Sequence, residues 1–198
     1  MKILMELIEP IVGQEADLES IITYVEILLD YNRKVNLISR NITTEGIVQL
    51  LSETILLNRY ISCDIVVDAG SGNGILGIPV ALMKKNEHKT IILVEPKKKK
   101  FLFLRNLKEQ MKLPNVEVKG VSIEEYLKNT KKEIRSLIAR GFPGFSIFCR
   151  YLKKDLVKEA IVITSQNKIK KNQIHLESVR KKIYNVPLRK NLKILKLF

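Results

Sequence analysis

The sequence predicts an α/β chain: a mostly parallel seven-stranded sheet with an antiparallel last strand, behind an N-terminal helical cap. Three observations lead there. Residues 65–67 and 90–94 are short, β-branched runs that stay apolar throughout, as strands covered on both faces do. Between them a turn holding Gly70, Gly72 and Gly74 opens into residues 77–85, whose apolar positions have helical spacing. Two amphipathic helical patterns precede the first strand, and two short runs joined by a polar turn close the chain, as in a hairpin. The expected division is a cap over 1–61 and one compact unit over 62–198.

In residues 15–31, Leu18, Ile21, Ile22, Val25, Leu28 and Leu29 recur three and four apart, giving one apolar helix face. Residues 31–39 then bring polar side chains that bond to nearby backbone, and read either as a helix-ending loop or as a lip over a ligand. A second helix over 44–59 presents Ile47, Leu50, Leu51, Ile55 and Leu56. After Glu95, at the end of the second strand, Pro96 suits the first position of a helix. Lys97, Lys98, Lys99 and Lys100 follow in its first turn, where the helix dipole disfavours cations. They are either a solvated helix start or a contact for RNA phosphate. Phe101, Leu104, Leu107 and Met111 extend the buried face until Leu113-Pro114-Asn115 stops it.

A third strand at 116–118 leads to a helix opened by Ser122, with Glu125 at capping-box spacing. The fourth strand, 134–139, carries Arg140-Gly141-Phe142-Pro143-Gly144 at its carboxyl end, on the rim shared by Gly70 and Glu95. Residues 150–159 read as a helix, 160–164 as the fifth strand and 165–182 as a mobile, lysine-rich flap. Residues 182–186 and 192–198 form the closing hairpin.

With 35 basic and 21 acidic residues in 198, the net charge of +14 favours a polyanionic partner. The excess is lysine, 26 against nine arginines, so a composition biased toward Lys, Ile and Asn accounts for it equally well. Cys63 and Cys149 match no zinc or disulfide spacing and suit a reducing compartment. Glu6 and Glu9 interrupt the first apolar residues, and no run approaches the roughly 18 apolar residues of a membrane span, so a soluble cytoplasmic protein is expected. No serine nucleophile elbow, phosphate-binding lysine loop or paired-histidine metal motif occurs, no metal is expected, and His88 and His175 lie in polar, solvated stretches.

The glycine turn reads Asp68-Ala69-Gly70-Ser71-Gly72-Asn73-Gly74, with Ile75 where a dinucleotide fingerprint needs its third glycine. With Glu95 ending the next strand, this resembles the S-adenosylmethionine site of Rossmann-like class I methyltransferases. Glu95 suits the two hydroxyls of a ribose. Arg140-Gly141-Phe142-Pro143 differs from the cluster associated with methylation of exocyclic amino groups, and Cys149 lies too far along for a thiolate adduct at ring carbon. An acceptor that is already nucleophilic, such as guanine N7, fits what is left.

Taken with Tyr31-Asn32, Val35-Asn36-Leu37, Gly77-Ile78-Pro79, Lys99-Lys100-Phe101-Leu102 and Glu124-Glu125-Tyr126, these residues resemble the RsmG (GidB) family. Its members are guanine-N7 methyltransferases of bacterial small-subunit (16S) ribosomal RNA, and the resemblance runs continuously over residues 20–126. It implies a monomeric cytoplasmic enzyme acting on ribosomal RNA or the small ribosomal subunit, with S-adenosylmethionine held by Gly70, Gly72 and Ile75. It further implies Glu95 on the ribose, Ile123 and Glu124 at the adenine, Arg140 completing the cofactor site at the reaction centre as the catalytic residue, and Lys97 to Lys100 on RNA. The chain departs from the family pattern at Leu50, Glu53, Leu76 and Ser122, where His, Asp, Pro and Arg are usual, and it has no clear counterpart of the Leu-Lys-Gly near the fifth strand. The rival expectations are methylation of another RNA base and a ribosome-binding protein of the same fold without turnover.

Overall fold

A computed structural model describes all residues except 1, 131–133, 143, 155 and 188, and the side chains of all of these except 2–4, 134 and 135. Three helices, α1 (Lys2–Val12), α2 (Leu18–Lys34) and α3 (Thr44–Asn58), come first. Then follow β1 (Ile65–Ala69), α4 (Gly77–Ala81), β2 (Thr90–Val94), α5 (Lys98–Gln110), β3 (Val116–Lys119), α6 (Ile123–Asn129) and β4 (Ile134–Arg140). The chain ends with α7 (Phe145–Leu152), β5 (Val157–Ser165), α8 (Gln166–Lys171), α9 (Gln173–Leu176), β6 (Lys181–Asn185) and β7 (Leu192–Leu197).

The strands form one sheet in the order β3-β2-β1-β4-β5-β7-β6. Pairings through β5 are parallel, whereas β7 runs antiparallel to both β5 and β6. Strand alternation splits the core into two layers. Val66, Ile91, Leu93, Ile138 and Ile161 face a cluster shared with α1, α2, α3 and α5. Val67, Ile92, Val94, Leu137 and Val162 face the opposite cluster, with α6, α7, α8 and α9. The N-terminal helices therefore cover one face of the sheet and share its core.

Several elements differ from the expectation. α1 was not anticipated, and α2 runs on through Lys34 into the segment read as a loop. α4 stops at Ala81 and a 3-10 turn (Lys84–Asn86) follows, because the buried Asn86 amide donates to Val80 O at 2.7 Å and Asn58 Oδ1 at 2.8 Å. Pro96 lies outside α5: extended Lys97 is the N-cap, so three lysines rather than four occupy the first turn. Phe103 is fully buried where Phe101 was expected, and Met111 sits past the helix end. The helix expected over 150–159 is α7, earlier in the chain, carried by Phe145, Phe148, Cys149 and Leu152. Val157, Lys158 and Glu159 already alternate inward, outward, inward as strand. The flap expected over 165–182 is two short helices pinned to the core by Ile169 and Leu176. Pro143 and Leu188, both in expected turns, lie outside the described residues.

Glu159 is buried, with every contact charge-assisted. Lys196 Nζ pairs with Oε2 at 2.6 Å, Ser136 Oγ donates to Oε1 at 2.6 Å, and Ser62 donates through both N–H and Oγ at 2.9 Å. Burial alone would raise its pKa, but Lys196, Ser136 and Ser62 together bring it below the ordinary 4.5. A carboxylate with a lowered folded pKa stabilises above its unfolded value and loses that contribution as pH falls through the folded one. Glu159→Ala strands the Lys196 charge, and the urea midpoint at neutral pH should fall by the equivalent of about 3 kcal/mol. The difference between the two proteins should shrink below pH 4.5; a difference that stays constant into acid would contradict this account.

Candidate active site

β1 ends where its two sheet neighbours, β2 and β4, lie on either side, and open α/β sheets bind ligands at such carboxyl ends. Gly70 and Ser71 both donate to Val94 O, at 2.9 and 3.1 Å, which draws the turn across the end of β2. Gly70, Gly72 and Gly74 have φ of +72, +61 and +83°, in the left-handed region. Gly77 answers a different constraint: a Cβ there would collide with Leu93, so helix and strand approach closely only with glycine.

The turn is held from three sides. From α2, Tyr24 Oη donates to Asn73 O at 3.1 Å; from α3, Thr54 Oγ1 donates to Ile75 O at 2.8 Å. Both side chains are fully buried. Burial, reinforced by the charge of Asp68, raises the Tyr24 pKa well above 10, so its hydroxyl remains a donor. From below, Glu95 accepts from Gly72 N–H at 2.9 Å and from Lys97 N–H at 2.8 Å. The second bond sets a carboxylate at the N-terminus of α5, where it offsets the lysines of that turn.

Above the turn lies a cleft of ≈ 460 Å³. Gly70, Gly72, Ile75 and Leu76 form one wall, Leu37, Ile38 and Leu50 another, and Arg140, Gly141, Thr164 and Lys168 the far side. Residues 31–39 end α2 and also border the cleft: Asn32 Oδ1 accepts from Leu37 and Ile38 N–H, at 2.8 and 3.0 Å, and holds both there.

Of the expected site residues, Gly70, Gly72, Ile75, Arg140 and Lys100 converge on this cleft. Glu95 stands at the end of β2 but beneath the turn. Ile123 packs in the second core cluster, Glu124 is exposed, and neither lines the cleft. Lys97, Lys98 and Lys99 are exposed outside it. Tyr24, Thr54 and Lys168 were not singled out in sequence. Tyr24 was the most legible, a side chain with a polar tip in an otherwise apolar stripe, which when buried needs a partner.

Arg140 Nη1 meets Glu53 Oε2 at 2.6 Å. Burial raises the Glu53 pKa and lowers that of Arg140, and each partner opposes the shift of the other. One turn of α3 thus contributes Leu50 to the cleft wall, Glu53 to Arg140 and Thr54 to the glycine turn. Asp68 is buried under the same turn and its Oδ2 accepts Gly77 N–H at 3.1 Å. Burial is the main reason its pKa is pushed up to about 7, with Glu95 adding to it and the Gly77 and Ser71 hydrogen bonds opposing.

A family model described as rRNA small subunit methyltransferase G, GidB, matches residues 17–190. The chain belongs to the GidB family. Ribosomal RNA small subunit methyltransferase G of Brachyspira hyodysenteriae is 29% identical over 175 residues, 87% of this chain and 83% of that protein. The Nitrosomonas eutropha protein of the same name is 28% identical over 156 residues, 77% and 71% of the two chains. Among solved structures, an O-methyltransferase from Bacillus cereus in complex with SAH superposes with a TM-score of 0.62 at 16% identity, covering 88% of this chain and 90% of that one. This last likeness is one of fold, the Rossmann-like class I methyltransferase fold. The GidB match begins after α1, and it includes Tyr24, Thr54 and every residue lining the cleft except Leu192.

A carboxyl whose folded pKa is raised stabilises most below its unfolded value, here 3.8, and loses that contribution as pH rises through about 7. The stability of Asp68→Asn relative to the parent should therefore increase between about pH 5 and about pH 8. Urea midpoints at both pH values measure this, and a pH-independent difference would contradict it.

Proposed function

We propose that the cleft binds S-adenosylmethionine and that the chain transfers its methyl group to N7 of a guanine in small-subunit (16S) ribosomal RNA. The observation that carries this reading is the cleft itself, formed over a glycine-rich turn at the carboxyl ends of β1 and β4 in a GidB family chain. The partner is ribosomal RNA or the small ribosomal subunit, met by a cytoplasmic monomer whose residues 1–61 act as a cap on the unit 62–198.

The residues present fit this cofactor. Gly70 and Gly72 offer bare backbone to the cleft, and Ile75 gives an apolar wall. Glu95, whose two oxygens accept the N–H groups of Gly72 and Lys97 behind the turn, is assigned to the ribose on the strength of the family resemblance. Ile123 and Glu124, at the carboxyl end of β3, take the adenine end on the strength of the family resemblance. When bound, S-adenosylmethionine supplies an electrophilic methyl group on a sulfonium.

What remains for the protein is orientation. Guanine N7 carries no proton and its lone pair lies in the ring plane, so its attack requires no general base. Among the described residues that line the cleft, Asp68 is the one carboxyl, and it is buried and bonded to Gly77; no His or Cys is present. That set suits an acceptor aligned by shape and charge rather than deprotonated. Arg140, held by Glu53, points a fixed cation into the place where the acceptor purine meets the methyl group. Lys97, Lys98, Lys99 and Lys100 meet RNA phosphate beside it.

Small-subunit rRNA from cells with and without this chain should differ by one N7-methylguanosine; identical maps would reject the acceptor. Gly72→Arg should remove cofactor binding in calorimetry while the circular dichroism of the fold persists, and retained binding would reject the glycine turn as the site. Tyr24→Phe and Thr54→Val release the turn and should each weaken cofactor binding several-fold while lowering stability by about 1 kcal/mol. Unchanged affinity in both would separate the buried hydroxyls from the site.

A further inference from the structure

The charges around the cleft do not suit the cofactor alone. Three cations line it, Lys100, Arg140 and Lys168. Arg140 is paired with Glu53, Glu95 is occupied by backbone amides beneath the turn, and Asp68 is buried. Among the described residues no carboxylate forms an ion pair with Lys100 or Lys168; Glu95 at the start of α5 offsets Lys100 in part, and Lys168 has no such neighbour among them. S-adenosylmethionine is itself a net cation, its sulfonium and ammonium outweighing its carboxylate. A positive mouth over a positive ligand favours a polyanion as the second substrate.

Lys168 also lies on the opposite side from the glycine turn and Glu95. The turn and Glu95 belong to β1 and β2, and Lys100 stands over Gly72, its Nζ 3.8 Å from where a Cβ would be. Lys168 comes from α8, after β5, and its Nζ donates to Gly141 O at 3.0 Å, reaching over the carboxyl end of β4. That bond is to a neutral carbonyl and uses one of three ammonium protons, leaving the charge and two donors at the acceptor side of the cleft. Ser165 caps α8 by accepting Lys168 N–H at 3.3 Å, and Ile169 anchors the next position in the core, so the lysine projects from a fixed backbone.

We infer that Lys168 is a positioning residue for the acceptor strand, binding an RNA phosphate on the β4–β5 side of the cleft and so presenting the target base to the methyl group beside Arg140. This rests on the reading of the cleft as an RNA methyltransferase site and adds to it a residue on the side opposite the lysines of α5. The phosphate replaces nothing at Lys168: the ammonium keeps Gly141 O and adds the anion.

Lys168→Gln tests this, because glutamine keeps a donor for Gly141 O and removes the charge. With methyl transfer to small ribosomal subunits lacking the modification, Lys168→Gln should raise KM for the particle about five- to tenfold with kcat within about twofold. In filter binding to a small-subunit rRNA transcript, its slope of log affinity against log salt should be shallower by about 0.7 to 0.9, the value of one phosphate contact. Cofactor affinity should be unchanged, and Lys168→Arg should restore both KM and salt slope. An unaltered salt slope in Lys168→Gln, or a loss of cofactor affinity instead, overturns the assignment. If the parent protein binds cofactor and methylates RNA but Lys168→Gln behaves like it, this inference alone fails. If the parent does neither, the methyltransferase reading of the cleft fails with it.

Discussion

A turn rich in glycine depends on its hydrogen bonds to hold one shape. The glycine turn after β1 has its backbone in the left-handed region at three positions, and the local bonds of Ser71 and Asn73 are completed by contacts from neighbouring elements. Two buried hydroxyls, Tyr24 from α2 and Thr54 from α3, fix the carbonyls of Asn73 and Ile75, and Glu95 fixes the amide of Gly72 from the other side. In a buried setting each of these bonds is costly to lose, because the carbonyl or hydroxyl left behind has no water to turn to. The helices that come first in the chain are thus part of the site, and their shared core with the sheet makes that coupling rigid.

Charge is sorted by depth. The carboxyl groups, Asp68, Glu53 and Glu95, are buried around or beneath the cleft, each taken by a backbone amide or an arginine. The cations stand at the rim, where water screens them from one another and a polyanion can reach them. This arrangement suits an enzyme that brings a cationic methyl donor to a polyanionic acceptor.

Departures from the family pattern fall into this scheme unevenly. Leu50 and Leu76 both line the cleft and make its walls more apolar. Glu53 preserves the carboxylate that Arg140 needs, and Ser122 does the local work of capping α6 by accepting Glu125 N–H at 3.1 Å.

How far the chain was legible follows from the range of the interactions. The strands of the sheet, the glycine turn, the cap at Ser122 and the closing hairpin were open to reading because periodicity, β-branching and turn chemistry act between residues a few positions apart. Where a distant partner decides, local pattern misleads. Glu159 looked helical because an acid rarely belongs in a buried strand, and only Lys196, Ser136 and Ser62 make it one. By itself the sequence determined the sheet, the turn that admits a ligand and the family. The tertiary structure alone decided that Tyr24 and Thr54 brace that turn, that Glu53 holds Arg140, and that Lys168 reaches the cleft from the far side. Those contacts join positions dozens of residues apart, and they exist only once packing has paid the entropy of bringing the segments together.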